Sequence, residues 1–403
     1  MKRVIIIVLD GVGVGELPDA ASYGDVGTNT LSHVIAAVGG LELPHLANLG
    51  LGNIPGVEGI PQESRPGASY GRMAERGAGK DSTAGHWELA GLIVEHPFPT
   101  YPEGFPKDLV HEFEARIGRK VLGNFPCSGT EILVQLGEEH LTTGRPILYT
   151  SADSVFQIAA HEEVIALGEL YRMCEAARAM LTGEHAVARV IARPFVGPPG
   201  RFERTAKRRD FSLVPHGPTL LSLAAATGMR VLAIGKVFDL YAGHGITAHL
   251  PSKGNTQTIE LLRQALAGDT AESAPGEIII ANLVDFDTLY GHRNDAEGFA
   301  RALREFDDAL PALLDGLRES DLLMITADHG NDPTTPGTDH TREHVPLLVC
   351  GPPYGGGTQE TRVRAGCDLG LRTTFADLGA TCAAYLQITP PSAGESFLEE
   401  IIK

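Results

Sequence analysis

The chain has 403 residues and carries 33 Lys and Arg against 51 Asp and Glu, a formal net charge of −18. That balance argues against nucleic acid or an anionic membrane as a partner, because both select basic faces. With 43% apolar and 21% charged residues the chain can bury a real core, which excludes disorder as its main state.

At ~150 residues per domain the length suggests two or three domains. No apolar run approaches the ~20 residues of a membrane span. The N-terminal run 4–9 stops at Asp10 with no small-residue cleavage site behind it, so it does not read as a leader. Five scattered cysteines (Cys127, Cys174, Cys350, Cys367, Cys382) contain no CxxC. A disulfide framework or thiolate zinc site is not expected, and the expected compartment is the cytoplasm.

In chain order, the run 4–9 predicts a buried strand delivering Asp10 at its carboxyl end. A carboxylate there can ligate a metal, or simply close the strand in the turn Asp10-Gly11. Next comes Gly77-Ala78-Gly79-Lys80-Asp81-Ser82-Thr83-Ala84-Gly85-His86-Trp87-Glu88. It superficially suggests a nucleotide loop, but the Walker pattern needs four residues between its first Gly and Gly-Lys. Ser82, at the start of a helix, is instead a candidate nucleophile, and helix N–H groups would stabilise a phosphate on it. The ordinary fate of an isolated Ser-Thr pair is an N-cap. His86 and Trp87 are expected to pack or to support the site.

From 97 to 213 the pattern of charged residues at strand ends stops. The segment opens on a proline-rich connector, 97–102, and contains strands over 147–150 and 187–192 and a helix around 169–181. It reads as an inserted α+β cap that binds substrate. The remainder, 1–96 and 214–403, reads as a doubly wound α/β core. Its strands are predicted at 231–234 before Lys236, 278–284 before Asp285, 322–326 before Asp328 and His329, and 345–349 before Gly351-Pro352. Apolar positions at helical spacing recur over 299–317. Continuous apolar strands alternating with helices imply parallel strands covered on both faces, with sites beyond their carboxyl ends.

Three strand ends supply N and O ligands. Asp287 and His292 share one loop, while Asp285 is expected to face away and is left out as a ligand. Asp328 and His329 are adjacent, and His340 lies on the loop returning to the next strand. With Asp10 these make three aspartates and three histidines, a mixed carboxylate–imidazole set suited to two divalent ions clamping a phosphoryl group.

The motifs Gly-Lys-Asp-Ser-Thr-Ala-Gly-His-Trp-Glu (79–88), Asn-Leu-Val-Asp-Phe-Asp (282–287), Thr-Ala-Asp-His-Gly-Asn-Asp (326–332) and Gly-Thr-Asp-His-Thr-Arg-Glu (337–343) resemble the phosphopentomutase family of alkaline phosphatase-like metalloenzymes. The segments 149–155, 190–197 and 202–211 resemble that family's phosphopentose-binding cap. The resemblance implies an alkaline phosphatase-like, mostly parallel sheet with an inserted cap. It implies one metal on Asp10, Asp328 and His329 and a second on Asp287, His292 and His340, with Mn²⁺ as the expected ion. It places the nucleophile at Ser82, where family members usually carry Thr; Ser is the residue the alkaline phosphatases use, and Thr83 is the neighbouring hydroxyl. In the cap Ser151, Asp153, Arg193 and Arg208 match positions that contact the sugar phosphate, and Lys236 is a further candidate phosphate contact. The cluster Arg204, Lys207, Arg208 and Arg209 would otherwise be a solvated loop. The implied reaction interconverts (deoxy)ribose 1-phosphate and 5-phosphate through a phosphoserine enzyme primed by a sugar bisphosphate. A metal-dependent phosphatase or phosphodiesterase sharing these ligands, and a non-catalytic phosphosugar- or metal-binding relative, are the alternatives.

Overall fold

Three apolar strands, Lys2–Leu9, Gly276–Leu283 and Asp321–Thr326, lie side by side and parallel within an eight-stranded sheet. Nearly every residue in them is buried, so both faces of this part of the sheet are covered, as their unbroken apolar sequences require. The computed structural model describes residues 1–151, 154–268, 274–352 and 363–402. Two compact units divide the chain, one of residues 1–96 and 215–403 and the other of residues 97–214.

In the larger unit the sheet runs Ala248–Leu250, Arg230–Ile234, Gly276–Leu283, Lys2–Leu9, Asp321–Thr326, Val345–Cys350, Ser69–Met73, Asp368–Arg372. All neighbours are parallel except at Val345–Cys350, which is antiparallel to both of its partners. The expectation of a parallel strand there is corrected. The chain returns from Thr326 to Val345 through short turns and the isolated bridges Gly330 to Thr341 and Glu343 to Glu16, with no crossover helix. Without that crossover the next strand is free to run backwards. The reversal puts the start of Val345–Cys350, rather than its end, beside the chemistry.

The smaller unit holds a six-stranded mixed sheet, Leu122–Pro126, Ile147–Thr150, Val155–His161, Arg189–Val196 and Glu203–Arg204, with Arg209–Ser212 also pairing Arg189–Val196. One core contains Phe113, Phe156, Met173 and Ala177, and a second contains Ile132, Leu133, Tyr149 and Phe195. The helix Lys107–Ile117 shows why these elements form: Leu109, Val110 and Phe113 make its buried stripe, and Gly118 ends it in a left-handed turn at φ 66°. Among the described residues no helix is long and apolar enough to cross a membrane.

Candidate metal centre and nucleophile

Strand register assembles the site. Lys2–Leu9 pairs Leu9 with Leu283 on one side and Val8 with Thr326 on the other. The chain segments just beyond these pairs carry Asp10, Asp287 and Asp328, so all three carboxylates emerge at one sheet edge. Asp287 sits in the π-helical turn Phe286–Tyr290, an irregularity often associated with functional sites. Asp10, Asp287, Asp328, His329 and His340 are buried, and His292 is half-buried.

Two groups close tightly enough to hold an ion. Asp10, Asp328 and His329 offer ligand atoms within 4.8 Å of one another, and so do Asp287, His329 and His340. His329 is common to both. His292 joins the second group through its Nε2, 3.3 Å from the Asp287 Oδ1 that His340 Nε2 approaches to 3.1 Å. His329 Nδ1 donates to the Gly330 carbonyl and His292 Nδ1 to the Thr338 carbonyl, which turns both Nε2 atoms inward. Among the described residues Asp10 Oδ1, Asp328 Oδ2 and His340 Nε2 are buried without a hydrogen bond and have only the close ion contacts of this cluster, to His329, His86 and Asp287. Such ligand atoms in one hard and borderline N/O set fit divalent cations.

The electrostatics point the same way. Burial opposes the charge on Asp328, but His329, His86 and Lys236 outweigh it and hold the carboxyl well below its usual range. Burial would push the His329 imidazole down, yet Asp328, Asp10 and Asp287 carry it up to about 10. Negative charge is thus concentrated here, which favours bound cations.

The helix Ser82–Leu89 brings the hydroxyl to this edge. Its N-cap is Asp81, whose side chain accepts from Thr83 N at 2.9 Å and Ala84 N at 3.1 Å. Ser82 is therefore released from capping. Its Oγ lies 3.1 Å from His329 Nε2 and accepts from Lys236 Nζ at 2.9 Å, while Lys236 also donates to Asp10 at 3.1 Å. Gly85 permits this approach, since a Cβ there would stand 2.1 Å from the Asp328 carbonyl oxygen. Lys236 thus meets the candidate nucleophile and a metal-ligand candidate directly.

Of the residues that support the site, His86 was expected from sequence to pack or to support it, and the others were not singled out. Asn331 donates to Asp287 Oδ1 at 2.7 Å. His86 Nδ1 donates to the Ser82 carbonyl and lies 3.0 Å from Asp328 Oδ2, and its Nε2 accepts from Asn282. Arg342 binds Glu75, Asp19 and the Gly79 carbonyl, tying the loop ahead of the nucleophile to the loop bearing His340. Lys80 adds to that tie by pairing with Asp25 and Asp339. Asn331 and Arg342 stand inside the quoted motifs, which was the available signal. Asp285 faces away and exchanges hydrogen bonds with Asn255.

In the smaller unit Ser151 follows the strand Ile147–Thr150, while Asp153 lies outside the described residues. Arg193 is held by the Gln157 amide oxygen at 3.1 Å, and burial, reinforced by Arg208, brings its pKa down to about 10. Arg208 makes a two-pronged pair with Asp210, both bonds at 2.7 Å. Burial of Asp210 opposes its charge, but Arg208, Arg189 and Arg193 hold its carboxyl below the usual range.

The chain matches the metalloenzyme superfamily over residues 2–390. It is 58% identical to a phosphopentomutase of Caldanaerobacter subterraneus subsp. tengcongensis, over 100% of this chain and 98% of that protein. It is 57% identical to a phosphopentomutase of Dictyoglomus turgidum, over 100% of this chain and 99% of that protein. Among solved structures it is similar to a Leishmania mexicana phosphoglycerate mutase at 13% identity and a TM-score of 0.47, covering 98% of this chain and 97% of that one. On the full-length identity to its curated relatives, this chain belongs to the phosphopentomutase family of the metalloenzyme superfamily.

Proposed function

We propose that this chain is an isomerase that interconverts (deoxy)ribose 1-phosphate and (deoxy)ribose 5-phosphate. The observation that carries the reading is the Ser82 hydroxyl. It stands against His329 and Lys236, beside two buried carboxylate–imidazole groups, in a chain of this family. Asp10, Asp328 and His329 would hold one divalent ion, and Asp287, His292 and His340 a second, with His329 within reach of both; Mn²⁺ suits the donor set. When bound, such ions neutralise the oxygens of a phosphoryl group in transfer and lower the pKa of a hydroxyl.

The chain's own residues carry the rest. In the resting state Ser82 bears the phosphoryl group. A hydroxyl of the pentose monophosphate attacks phosphorus, the bond to Ser82 Oγ breaks, and the proton that the sugar hydroxyl gives up ends on Ser82 Oγ. The Lys236 ammonium, donating to Ser82 Oγ, stabilises the oxygen that departs. The resulting bisphosphate reorients. Ser82 Oγ then attacks its other phosphorus, the isomeric monophosphate leaves, and the phosphoserine is restored. A free sugar bisphosphate would prime the cycle by the same second step. Arg193 and Arg208, with Ser151 and Asp153, would grip the phosphate that is not moving. The larger unit is then the catalytic core and the smaller one the substrate-binding cap.

The test is a coupled assay with ribose 1-phosphate, Mn²⁺ and a trace of sugar bisphosphate, following ribose 5-phosphate and free phosphate together. Ribose 5-phosphate with little free phosphate is the expected result. Free phosphate without isomerisation would instead assign a phosphatase to this centre. Peptide mapping should find the phosphoryl group on Ser82, and Ser82→Ala should abolish transfer while retaining metal. A phosphopeptide carrying it on Thr83 would move the nucleophile by one residue.

A further inference from the structure

Glu343 is buried in the larger unit and belongs to neither of the groups that could hold an ion. Its Oε2 accepts from Gly15 N at 3.2 Å and Thr30 N at 2.9 Å, and its Oε1 from Thr30 Oγ1 at 2.7 Å and Thr341 Oγ1 at 2.6 Å. Two backbone N–H groups and two hydroxyls thus satisfy a carboxylate that burial would otherwise penalise. Gly15 lies on the loop that begins at Asp10, and Thr341 directly follows His340.

Two glycines make room for the side chain. A Cβ on Gly330, the residue after His329, would stand 2.5 Å from Glu343 Oε1, and a Cβ on Gly13, three residues past Asp10, would collide with Oε2. Glu343 therefore fills the gap between the loops that bear Asp10 and His329, at two positions where only glycine lets it pass. Thr30 carries the contact to the fourth loop. Its Oγ1 also accepts from Asn331 N at 3.1 Å, and the Asn331 side-chain amide donates to Asp287 Oδ1 at 2.7 Å. That oxygen is the one that His292 and His340 approach. One carboxylate thus reaches three loops of the site directly and the last one through two residues.

We propose that Glu343 is a positioning residue of the two-ion centre, which sets the spacing of the loops bearing Asp10, His329 and His340 and, through Thr30 and Asn331, of Asp287. The inference rests on the two-ion reading above. Glu343 acts on the ions through the ligands' loops and not by contact. What it contributes is reach, because its two oxygens must span donors on separate loops at once.

The test uses the full-length protein, Mn²⁺ as the probe, and the variants Glu343→Asp, Glu343→Gln and Thr30→Val. Glu343→Asp keeps the charge but withdraws both oxygens by one methylene. It should weaken Mn²⁺ at both sites by about 10–100-fold in titration calorimetry, the scale for residues that orient ligands. The electron paramagnetic resonance spectrum of the bound Mn²⁺ pair should change with it, because the loops set the distance between the ions. Glu343→Gln keeps the length, and its amide N–H groups can meet the two threonine hydroxyls, which turn to accept. It should lose less affinity than Glu343→Asp. Thr30→Val breaks only the branch to Asn331, so it should weaken one ion of the two; it also decides the matter if Glu343→Asp does not fold. Parental Mn²⁺ affinity and spectrum in Glu343→Asp, with only the melting temperature lowered, would overturn the proposal and leave Glu343 a packing residue. A greater loss in Glu343→Gln than in Glu343→Asp would overturn it in favour of charge, and parental binding of both ions by Thr30→Val would overturn the link to Asp287. A parent that binds no Mn²⁺ would overturn the two-ion reading and this inference with it. A parent that binds two ions without isomerising the sugar phosphate would overturn the mutase reading alone, and the titrations would still decide the role of Glu343.

Discussion

Lys236 donates to the Ser82 hydroxyl at 2.9 Å and to the Asp10 carboxylate at 3.1 Å, so one ammonium bridges the candidate nucleophile and a metal-ligand candidate. This position is suited to an oxygen that gains charge as its bond to phosphorus breaks. Lys236→Met should therefore lower kcat by about 10²-fold, the scale of losing one donor to a developing oxyanion, with a smaller change in KM. Steady-state kinetics separate the two quantities. A variant with raised KM and parental kcat would return Lys236 to the role of a substrate-phosphate contact.

Asp10 Oδ1, Asp328 Oδ2 and His340 Nε2 are buried without a hydrogen bond in a cluster that could hold metal ions, so a bound cation should stabilise the folded chain. An ion that binds only the folded state at 100 times its Kd adds about 2.7 kcal/mol per site. Scanning calorimetry should show a raised melting temperature with Mn²⁺ and a lowered one with chelator. Asp287→Asn should reduce the titrated stoichiometry from two ions to one. Two ions retained in that variant would remove Asp287 from the ligand set.

His86 is fully buried, lies 3.0 Å from Asp328 and is anchored on its far side by Asn282. The ring backs a ligand candidate without facing the cavity that ligand serves. Residues that orient metal ligands typically change affinity by about 10–100-fold when removed. His86→Ala should thus weaken Mn²⁺ binding by that factor, and Asn282→Ala by less, both read by titration calorimetry. Parental metal affinity in His86→Ala would reduce the ring to packing.

The candidate ligands could be picked out because each stands at the end of an apolar run or in a short polar motif beyond one. Lys2–Leu9, Gly276–Leu283 and Asp321–Thr326 were legible because burial on both faces demands unbroken apolar sequence. Ser69–Met73, by contrast, alternates buried and half-buried residues and contains Gly71 and Arg72, so it carries no such run. Ala248–Leu250 is three half-buried residues at the sheet's edge. The reversed direction of Val345–Cys350 was invisible, because apolarity marks burial and not polarity of the chain. Asp81 as the N-cap that releases Ser82 needed the helix start to a single residue, which pattern alone does not provide. The residues that tie the site together pair across hundreds of positions, as Arg342 does with Glu75, and no local spacing encodes that.

That pair supports a last prediction. Arg342 donates to Glu75 at 2.7 Å and to the Gly79 carbonyl, and so fixes the loop that leads to Ser82. Burial raises the Glu75 carboxyl well above the usual carboxylate range, with Arg342 pulling the other way. Removing Arg342 leaves that carboxyl buried and unpaired, a loss of about 3–5 kcal/mol at neutral pH. The sign of its pH dependence follows from the raised pKa. The folded state then holds a proton that the unfolded state releases, so the group favours folding below its unfolded pKa and loses that contribution as pH rises through the folded value. Arg342→Met should accordingly be more stable at roughly pH 5 than at roughly pH 8, by denaturant unfolding at both. Adding Glu75→Gln should recover much of the stability at the higher pH and flatten the dependence, because the charge is gone. It should not recover kcat, because the bond to Gly79 is still missing. A double variant as unstable as Arg342→Met would place the cost in lost packing around the guanidinium, and recovered kcat would detach Arg342 from the positioning of Ser82.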